Sequence, residues 1–417
     1  MSRRVVITGL GIVAPSGIGK REFWENSIKG ESYIGKITRF DASKFQCKIA
    51  GEIKDFKAED YFPIRLLRKI DKFSQYALVA THLAIEDANL KLEKEDLTQV
   101  GIIIGNSLGG QEFSETELRH LHASGIKEVS PYLATAWFPA APQGQISIFY
   151  GIKGYSKTVV ADRAGSNVAV GYGTRVIKSG DAEILFVGGS EALITPYGLL
   201  CCSTCTLLSN RDGDESSKVY RPFDKERSGL IIGEGAGIIV LEELEHALKR
   251  KANIYAEVIG YGMTSDGYHP IRFSPNGKEF NRAIKLALQM GGIMPSEVDY
   301  ISADGVATPE GDKIETAVIK EVFGDHAYKL AISTPRSMIG DLFGASGAID
   351  LISTVLAMNK GVLLPTINYE NPDPECDLDY VPNKIRQANI DIALLNLRGQ
   401  GGVNSSLLIK KFNNSRR

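Results

Sequence analysis

The sequence has no apolar run long enough to cross a bilayer, no low-complexity segment and no marked excess of either charge: 417 residues carry 48 Lys and Arg against 50 Asp and Glu, a formal charge of -2. The first absence excludes a membrane-spanning helix. The near balance of charge excludes the broad basic footprint of a nucleic-acid-binding protein and leaves only local patches for an acidic partner. Cysteine is sparse and odd in number, at positions 47, 201, 202, 205 and 376, which argues against a disulfide framework. Cys202 and Cys205 form a CxxC, but no second pair follows at ligand spacing, and SEALITPYGLLCCSTCTLLS reads as a buried small-residue stretch. The acidic turn DGDES (212–216) lacks calcium-loop spacing. No metal and no cofactor is expected. The opening MSRRVVITGLG starts a strand almost at once, so the expectation is a soluble cytoplasmic protein.

What the chain does contain is glycine, 43 residues of it, mostly at the ends of apolar runs. RVVITG (4–9), VGIIIGNS (100–107), AEILFVGG (182–189), AGIIVLEE (236–243) and IALLNLRG (392–399) are continuously apolar rather than alternating. Strands of that kind are covered by helices on both faces. Helical stretches such as DKFSQYALVATHLAIEDANL, NVAVGYGTRVIKSG and KEFNRAIKLALQMGG lie between them. The class is α/β.

The two parts of the chain resemble each other. Each opens on a strand ending in a glycine turn (TGLGIVAPSG; IGYGMTSDG), runs through a mid-chain strand into a candidate site (ADRAG; ADGVATPEGD), and closes on a glycine-rich strand pair. This predicts a duplicated unit with halves 1–250 and 251–417 sharing one core, since no linker separates them. GEGAG (233–237) lacks the helix and lysine of a phosphate loop and reads as close packing.

VVADRAGSNVAVG (159–171) predicts a strand delivering its last residue to a helix N-terminus. Unpaired helix N–H groups stabilise negative charge there, which makes such an elbow a mount for a nucleophile. Here it carries Ala164, which has nothing to attack with.

Five stretches in order, TGLGIVAPSG, RPFDKERSGLIIGEGAGIIVLEE (221–243), ADGVATPEGDKIE (303–315), SMIGDLFGASGAID (337–350) and GQGGVNSSLLI (399–409), resemble the β-ketoacyl synthases of fatty-acid and polyketide assembly over nearly the whole chain. The resemblance implies a thiolase-like fold, two βαβαβ-type halves in a layered α-β-α-β-α core. That family condenses acyl chains with an elbow cysteine and two histidines: a nucleophile, and donors aimed at a developing enolate oxygen. The three positions fall on Ala164, Asp304 and Asp341, and none of the six histidines stands at either histidine position. The family's lysine before the second histidine becomes Arg336, and the gating aromatic of its GFGG stretch becomes Gln400. A carboxylate beside a malonyl carboxylate repels it and donates no hydrogen bond at neutral pH.

The missing triad points to the chain length factors, inactive members that pair with an active ketosynthase in bacterial type II polyketide synthases. PYLATAWFPAAPQGQISIFYG (131–151) resembles their interface helix and LNLRGQGGVNSS their C-terminal glycine stretch; where they often carry glutamine at the elbow, this chain has Ala164. The resemblance implies a heterodimer with an active ketosynthase through KTVVAD and the WFPAAPQGQISIFYG segment, service by an acyl carrier protein, and no nucleic-acid or membrane partner. Trp137 and Phe138, expected to be buried, would close the shared tunnel, with Leu133 and Ala141 one helical turn away on the same side. Arg163, Arg336 and Arg398, together with Gln400, would fill the old pocket, the arginines pairing with Asp304 and Asp341. The product implied is an aromatic polyketide; the alternatives are an aryl polyene or other reduced polyene, or a malonyl-carrier-protein decarboxylase.

Overall fold

A computed structural model describes residues 3–205, 207–211 and 215–412; three residues of the DGDES turn, 212–214, lie outside them. The apolar runs become β1 (Val5–Ala14), β2 (Val100–Asn106), β3 (Ser156–Val160), β4 (Ile184–Glu191), β5 (Gly235–Glu243), β6 (Ala256–Ser265), β7 (Tyr300–Ser302), β8 (Ala331–Ser333), β9 (Ile392–Gly399) and β10 (Val403–Lys411). Along the main sheet their order is β8-β7-β9-β10-β6-β1-β5-β4-β2-β3. Within β1 to β5 the spatial order is third, second, fourth, fifth, first, and β6 to β10 repeat it. Strand directions repeat as well. β2 runs parallel to β3 and β4, with β5 antiparallel to both β4 and β1. β7 runs parallel to β8 and β9, with β10 antiparallel to both β9 and β6. The two repeats meet where β1 and β6 pair antiparallel, Val6 opposite Glu257 and Ile7 opposite Ala256.

The helices that matter here are α1 (Lys72–Asp87), α2 (Gln111–Ser124), α3 (Leu133–Ala136), α4 (Ala141–Tyr150), α5 (Gly165–Ser179), α6 (Pro196–Thr204), α7 (Lys278–Gly291), α8 (Pro309–Phe323) and α9 (Ser346–Lys360). α5 packs on β2 and β4 of its own repeat and on β6 and β10 of the other; α9 packs on β9 of its own and on β1, β4 and β5 of the other. They form the central helical layer, which explains why GSNVAVGYGTRVI and SGAIDLISTVLAM are buried almost throughout. α1 covers one sheet half from outside and α7, backed by α8, the other. The architecture is the thiolase-like α/β fold with its layers α-β-α-β-α.

Glycines set the distance between the layers. A Cβ on Gly105 of β2 would stand 2.2 Å from the carbonyl carbon of Gly165, and one on Gly344 would stand 2.3 Å from the Cα of Asn106. The start of α5 and the turn before α9 are thereby pressed onto the end of β2.

The segment read as one interface helix is two. α3 ends at Ala136, residues 137–140 form a bend and turn, and α4 begins at Ala141 with Pro142 in its first turn. Pro139 and Pro142 are the physical reason, since neither supplies an N–H to a continuing helix. Leu133 and Ala141 therefore stand on different helices rather than one turn apart on the same face. Trp137 and Phe138 are not buried: they lie in the turn, 45% and 52% exposed, with their rings edge to face at 6.2 Å.

Candidate active site

The elbow forms as the end of β3, a single 3₁₀ turn Asp162–Ala164, and the start of α5. Ala164 is fully buried. Asp162 adopts a left-handed φ of 48°. Its carboxylate accepts from Ser107 Oγ at 3.0 Å and from the backbone N–H of Gln400 at 2.8 Å, tying the elbow to the loop after β2 and to the turn after β9.

Behind the elbow the chain packs three guanidiniums and three aspartates into one cluster. Arg163 donates from Nη1 to Asp304 Oδ1 at 2.8 Å and Asp341 Oδ2 at 3.3 Å, and from Nη2 to Asp304 Oδ2 at 3.3 Å and to the carbonyl of Arg398. Arg336 donates from Nη1 to Asp341, from Nε to both oxygens of Asp350 at 3.1 and 3.0 Å, and from Nη2 to the Asp304 carbonyl at 2.6 Å. Arg398 donates from Nε to Asp304 Oδ2 at 2.9 Å and from Nη2 to the Gly311 carbonyl at 3.0 Å. Asp341 also accepts from Phe343 N–H at 2.9 Å and Ser346 Oγ at 3.0 Å. None of the six side chains is more than 2% exposed.

The local sequence explains the placement. ADGVATPEGD leaves β7 and reaches α8, where Glu315 turns back to accept the N–H groups of Asp304 and Gly305 at 2.9 Å each. Arg336 sits in a short 3₁₀ turn after β8, Asp350 faces it from the first turns of α9, and Arg398 ends β9.

Charge balance decides the protonation. Burial opposes ionisation of Asp304, but Arg163, Arg398 and Arg336 outweigh it and hold that carboxyl below the usual range. Asp350 is pushed up to about 7 by burial against the pull of Arg336. Glu315 is likewise raised to about 7 by burial, with Arg398 opposing. Burial disfavours the cations too, yet Asp304 and Asp341 keep Arg163 firmly charged, and Asp350 and Asp341 do so for Arg336. The cluster is thus a set of permanent cations against carboxylates, with no imidazole, no thiol and no uncommitted carboxylate among its members.

Two spaces flank it. On one side a surface hollow of about 880 Å³ is lined by Tyr268, Arg272, Phe273, Pro275, Glu310 and Lys313, among others. Phe273 is the wall between this hollow and the cluster, its ring centroid 4.5 Å from the Arg398 guanidinium and 5.8 Å from that of Arg163. On the other side of the elbow a small open-sided cavity of about 70 Å³ is lined by Ser107, Leu108, Asp162, Phe343, Gln400 and the thiol-bearing end of α6. Gln400 belongs here and not among the arginines with which it is grouped above, because its backbone is drawn to Asp162 and its side-chain nitrogen has no partner.

The models of the β-ketoacyl synthase N-terminal and C-terminal domains match residues 2–247 and 255–370. The chain belongs to the β-ketoacyl synthase family. Curated members similar to it include the 3-oxoacyl-[acyl-carrier-protein] synthase 2 of Coxiella burnetii, 41% identical over 409 residues (98% of this chain, 99% of the relative), and that of Synechocystis, 42% identical over 411 residues (98% of each). Among solved structures, the ishigamide ketosynthase/chain length factor superimposes with a TM-score of 0.91 at 34% identity, covering 99% of this chain and 100% of that one. A type II PKS acyl-carrier protein in complex with its ketosynthase gives 0.92 at 32% identity, covering 99% and 100%. In this family member the elbow carries Ala164, the loop after β7 carries Asp304 and the turn before α9 carries Asp341.

Sequence reasoning misses Asp350, Glu315 and Phe273. Asp350 lies on the helix one would assign to core, and the signal available is its acidic side chain among SGAIDLISTVLAM. Phe273, one aromatic in the loop IRFSPNG, gives no signal at all.

Proposed function

We propose that this chain is the non-catalytic partner of an active β-ketoacyl synthase in a type II polyketide synthase, where it completes the heterodimer and shapes the tunnel that sets chain length. The observation that carries this reading is the elbow: it presents Ala164 where a nucleophile is needed, and behind it stand buried ion pairs. A condensing enzyme needs a nucleophile and donors aimed at an enolate oxygen. A decarboxylase needs the second alone, and here the guanidiniums are sealed from solvent and, apart from Arg163 Nε and Arg398 Nη1, which have no partner among the described residues, they donate to carboxylates and carbonyls.

The partner surface is supported by where apolar side chains remain exposed. Of the seventeen large exposed apolar side chains among the described residues, eleven lie between residues 118 and 200, Trp137, Phe138, Ile148 and Val160 among them, and six lie elsewhere. β3 is the end strand of the sheet, with Val160 58% exposed. A long unprotected edge beside an apolar field marks an interface or an aggregation hazard. The names of the two solved structures pair a ketosynthase with a chain length factor and with an acyl carrier protein, which favours those classes of partner here. Names of the curated relatives favour shared ancestry with active condensing enzymes, whose chemistry rests on residues this chain has replaced.

Co-expression with an intact ketosynthase tests the reading. The two chains should co-purify in equal amounts, and variants in the Trp137–Phe138 turn should change product length. Recovery of this chain as a well-behaved monomer beside a self-sufficient ketosynthase would refute it.

A further inference from the structure

The end of α6 places three thiols in five residues beside the cavity at the elbow. Cys201, Cys202 and Cys205 all line that cavity, together with Leu207, Leu208 and Phe343. All three are free thiols, Cys202 buried and the other two half-buried. The proposed function uses none of them.

Their geometry separates them. The backbone N–H of Cys205 donates to the carbonyl of Cys202 at 3.2 Å, closing a tight turn at the end of the helix. The ends of such a turn lie within about 7 Å between Cα atoms, and a disulfide needs about 4.4 to 6.8 Å. Cys201 sits one residue back on the helix, and its thiol interacts with the hydroxyl of the exposed Tyr197. Cys202 points inward, where burial holds its thiol well above the ordinary range. Cys201 and Cys205 are both partly open to solvent; Cys205, whose Sγ donates to the Cys201 carbonyl at 3.3 Å, is the open thiol that stands one turn from Cys202.

We infer that Cys202 and Cys205 form a reversible disulfide at the wall of the elbow cavity when the chain meets a small-molecule disulfide. The Cys205 thiolate attacks one sulfur of the reagent, which releases its other half as a thiol that takes up a proton. The Cys202 thiolate then attacks the Cys205 sulfur of the mixed disulfide, forming the Cys202–Cys205 bond and releasing the second half. Two protein thiols lose two protons and two electrons, and one reagent disulfide takes them up to become two thiols. The pair has one thiol open to solvent, Cys205, through which thiol exchange with an outside disulfide starts. The bond would lock the last turn of α6, whose Tyr197 and Leu200 belong to the exposed apolar field, and draw together the two sulfurs on the cavity wall. This inference does not depend on the partner reading.

The test equilibrates the folded full-length chain in buffers of oxidised and reduced glutathione, then alkylates it and maps the peptides. The expected result is loss of two alkylatable thiols, a Cys202–Cys205 peptide lighter by two hydrogens, and full recovery with dithiothreitol. Cys202→Ser should trap glutathione on Cys205, and Cys201→Ser should leave the oxidation unchanged. If all five thiols stay alkylatable in the oxidised buffer, if the wild-type chain stops at the mixed disulfide, or if Cys201→Ser abolishes the bond, the inference is wrong. Urea-unfolded chain serves as reference, and a bond that forms equally well there would also overturn the role given to the folded turn.

Discussion

Arg163 meets Asp304 edge to edge, Nη1 2.8 Å from Oδ1 and Nη2 3.3 Å from Oδ2, across 141 residues of sequence. Arg163 is the residue before Ala164 at the elbow, and Asp304 stands at the start of the loop after β7 in the second repeat. On the correspondence that the resemblance implies, the pair joins the neighbourhood of the nucleophile position to the first histidine position by a salt bridge. In the proposed reading that bridge fills the space the condensing chemistry needs.

Removing one member of the cluster should cost far more than its hydrogen bonds are worth. Arg336→Met leaves Asp341 and Asp350 facing each other in a sealed site, and an orphaned buried charge of this kind costs roughly 3 to 5 kcal/mol. Asp350→Asn in the same background should recover part of the loss, because Asp350, already at about 7, is the carboxyl nearest to neutrality. Urea unfolding of the single and double variants checks this. An Arg336→Met chain as stable as the parent would show that the cluster holds nothing together.

The halves 1–250 and 251–417, proposed here as units of one duplicated body, should not fold apart. α5 and α9 each bury one face against the other half's strands, and the loss of either half exposes an apolar layer along its whole length. Each half expressed alone should be insoluble or bind a hydrophobic dye, and the two should recover native circular dichroism only when refolded together.

His246 should give the chain a stability that fades above neutrality. Its Nδ1 lies 2.6 Å from Glu242 and its Nε2 3.1 Å from Glu95, and Glu242 is shared with Arg250 at 2.6 Å. The Glu242 hydrogen bond leads in raising the imidazole above 6.5, with burial opposing. The folded chain therefore binds this proton more tightly than the unfolded one, so the contribution is complete below about pH 6.5 and disappears as pH rises through the folded value. His246→Gln should lower stability by roughly 0.5 to 1 kcal/mol at pH 5.5 and by almost nothing at pH 8.5. Equal losses at both values would contradict the assignment.

Trp137→Ala and Phe138→Ala should leave the isolated chain within about 0.5 kcal/mol of the parent, because both rings already face solvent. Their effect belongs to the heterodimer. Phe138→Ala removes bulk proposed to close the tunnel, so the co-expressed pair should make a product at least one malonyl unit longer. If both variants assemble and both give the parent product, the turn is not the ruler.

Much of this can be read in the sequence because it is local. Continuously apolar strands, the glycines that press layers together and the strand-to-helix elbow are written in short stretches, and the duplication shows as their recurrence. Through the family resemblance the motifs also single out Asp304 and Asp341. What cannot be read is the pairing. Arg336 could serve either aspartate of its neighbourhood, and it binds Asp341 and Asp350 together because α9 brings Asp350 to it from a separate element. Trp137 and Phe138 look like core because they are aromatic and flanked by apolar residues; Pro139 and Pro142, which turn them outward, sit in the same stretch and carry the opposite signal.

The most direct measurement of the central claim is mass spectrometry of both subunits after incubation with acyl- and malonyl-loaded carrier protein, with carbon dioxide release followed in parallel. The account predicts that this chain, alone or in complex, keeps its unmodified mass and releases no carbon dioxide by itself, while the acyl group appears on the partner's cysteine. An acyl adduct on this chain, at Cys201, Cys202, Cys205 or anywhere else, or carbon dioxide released in the partner's absence, would contradict it.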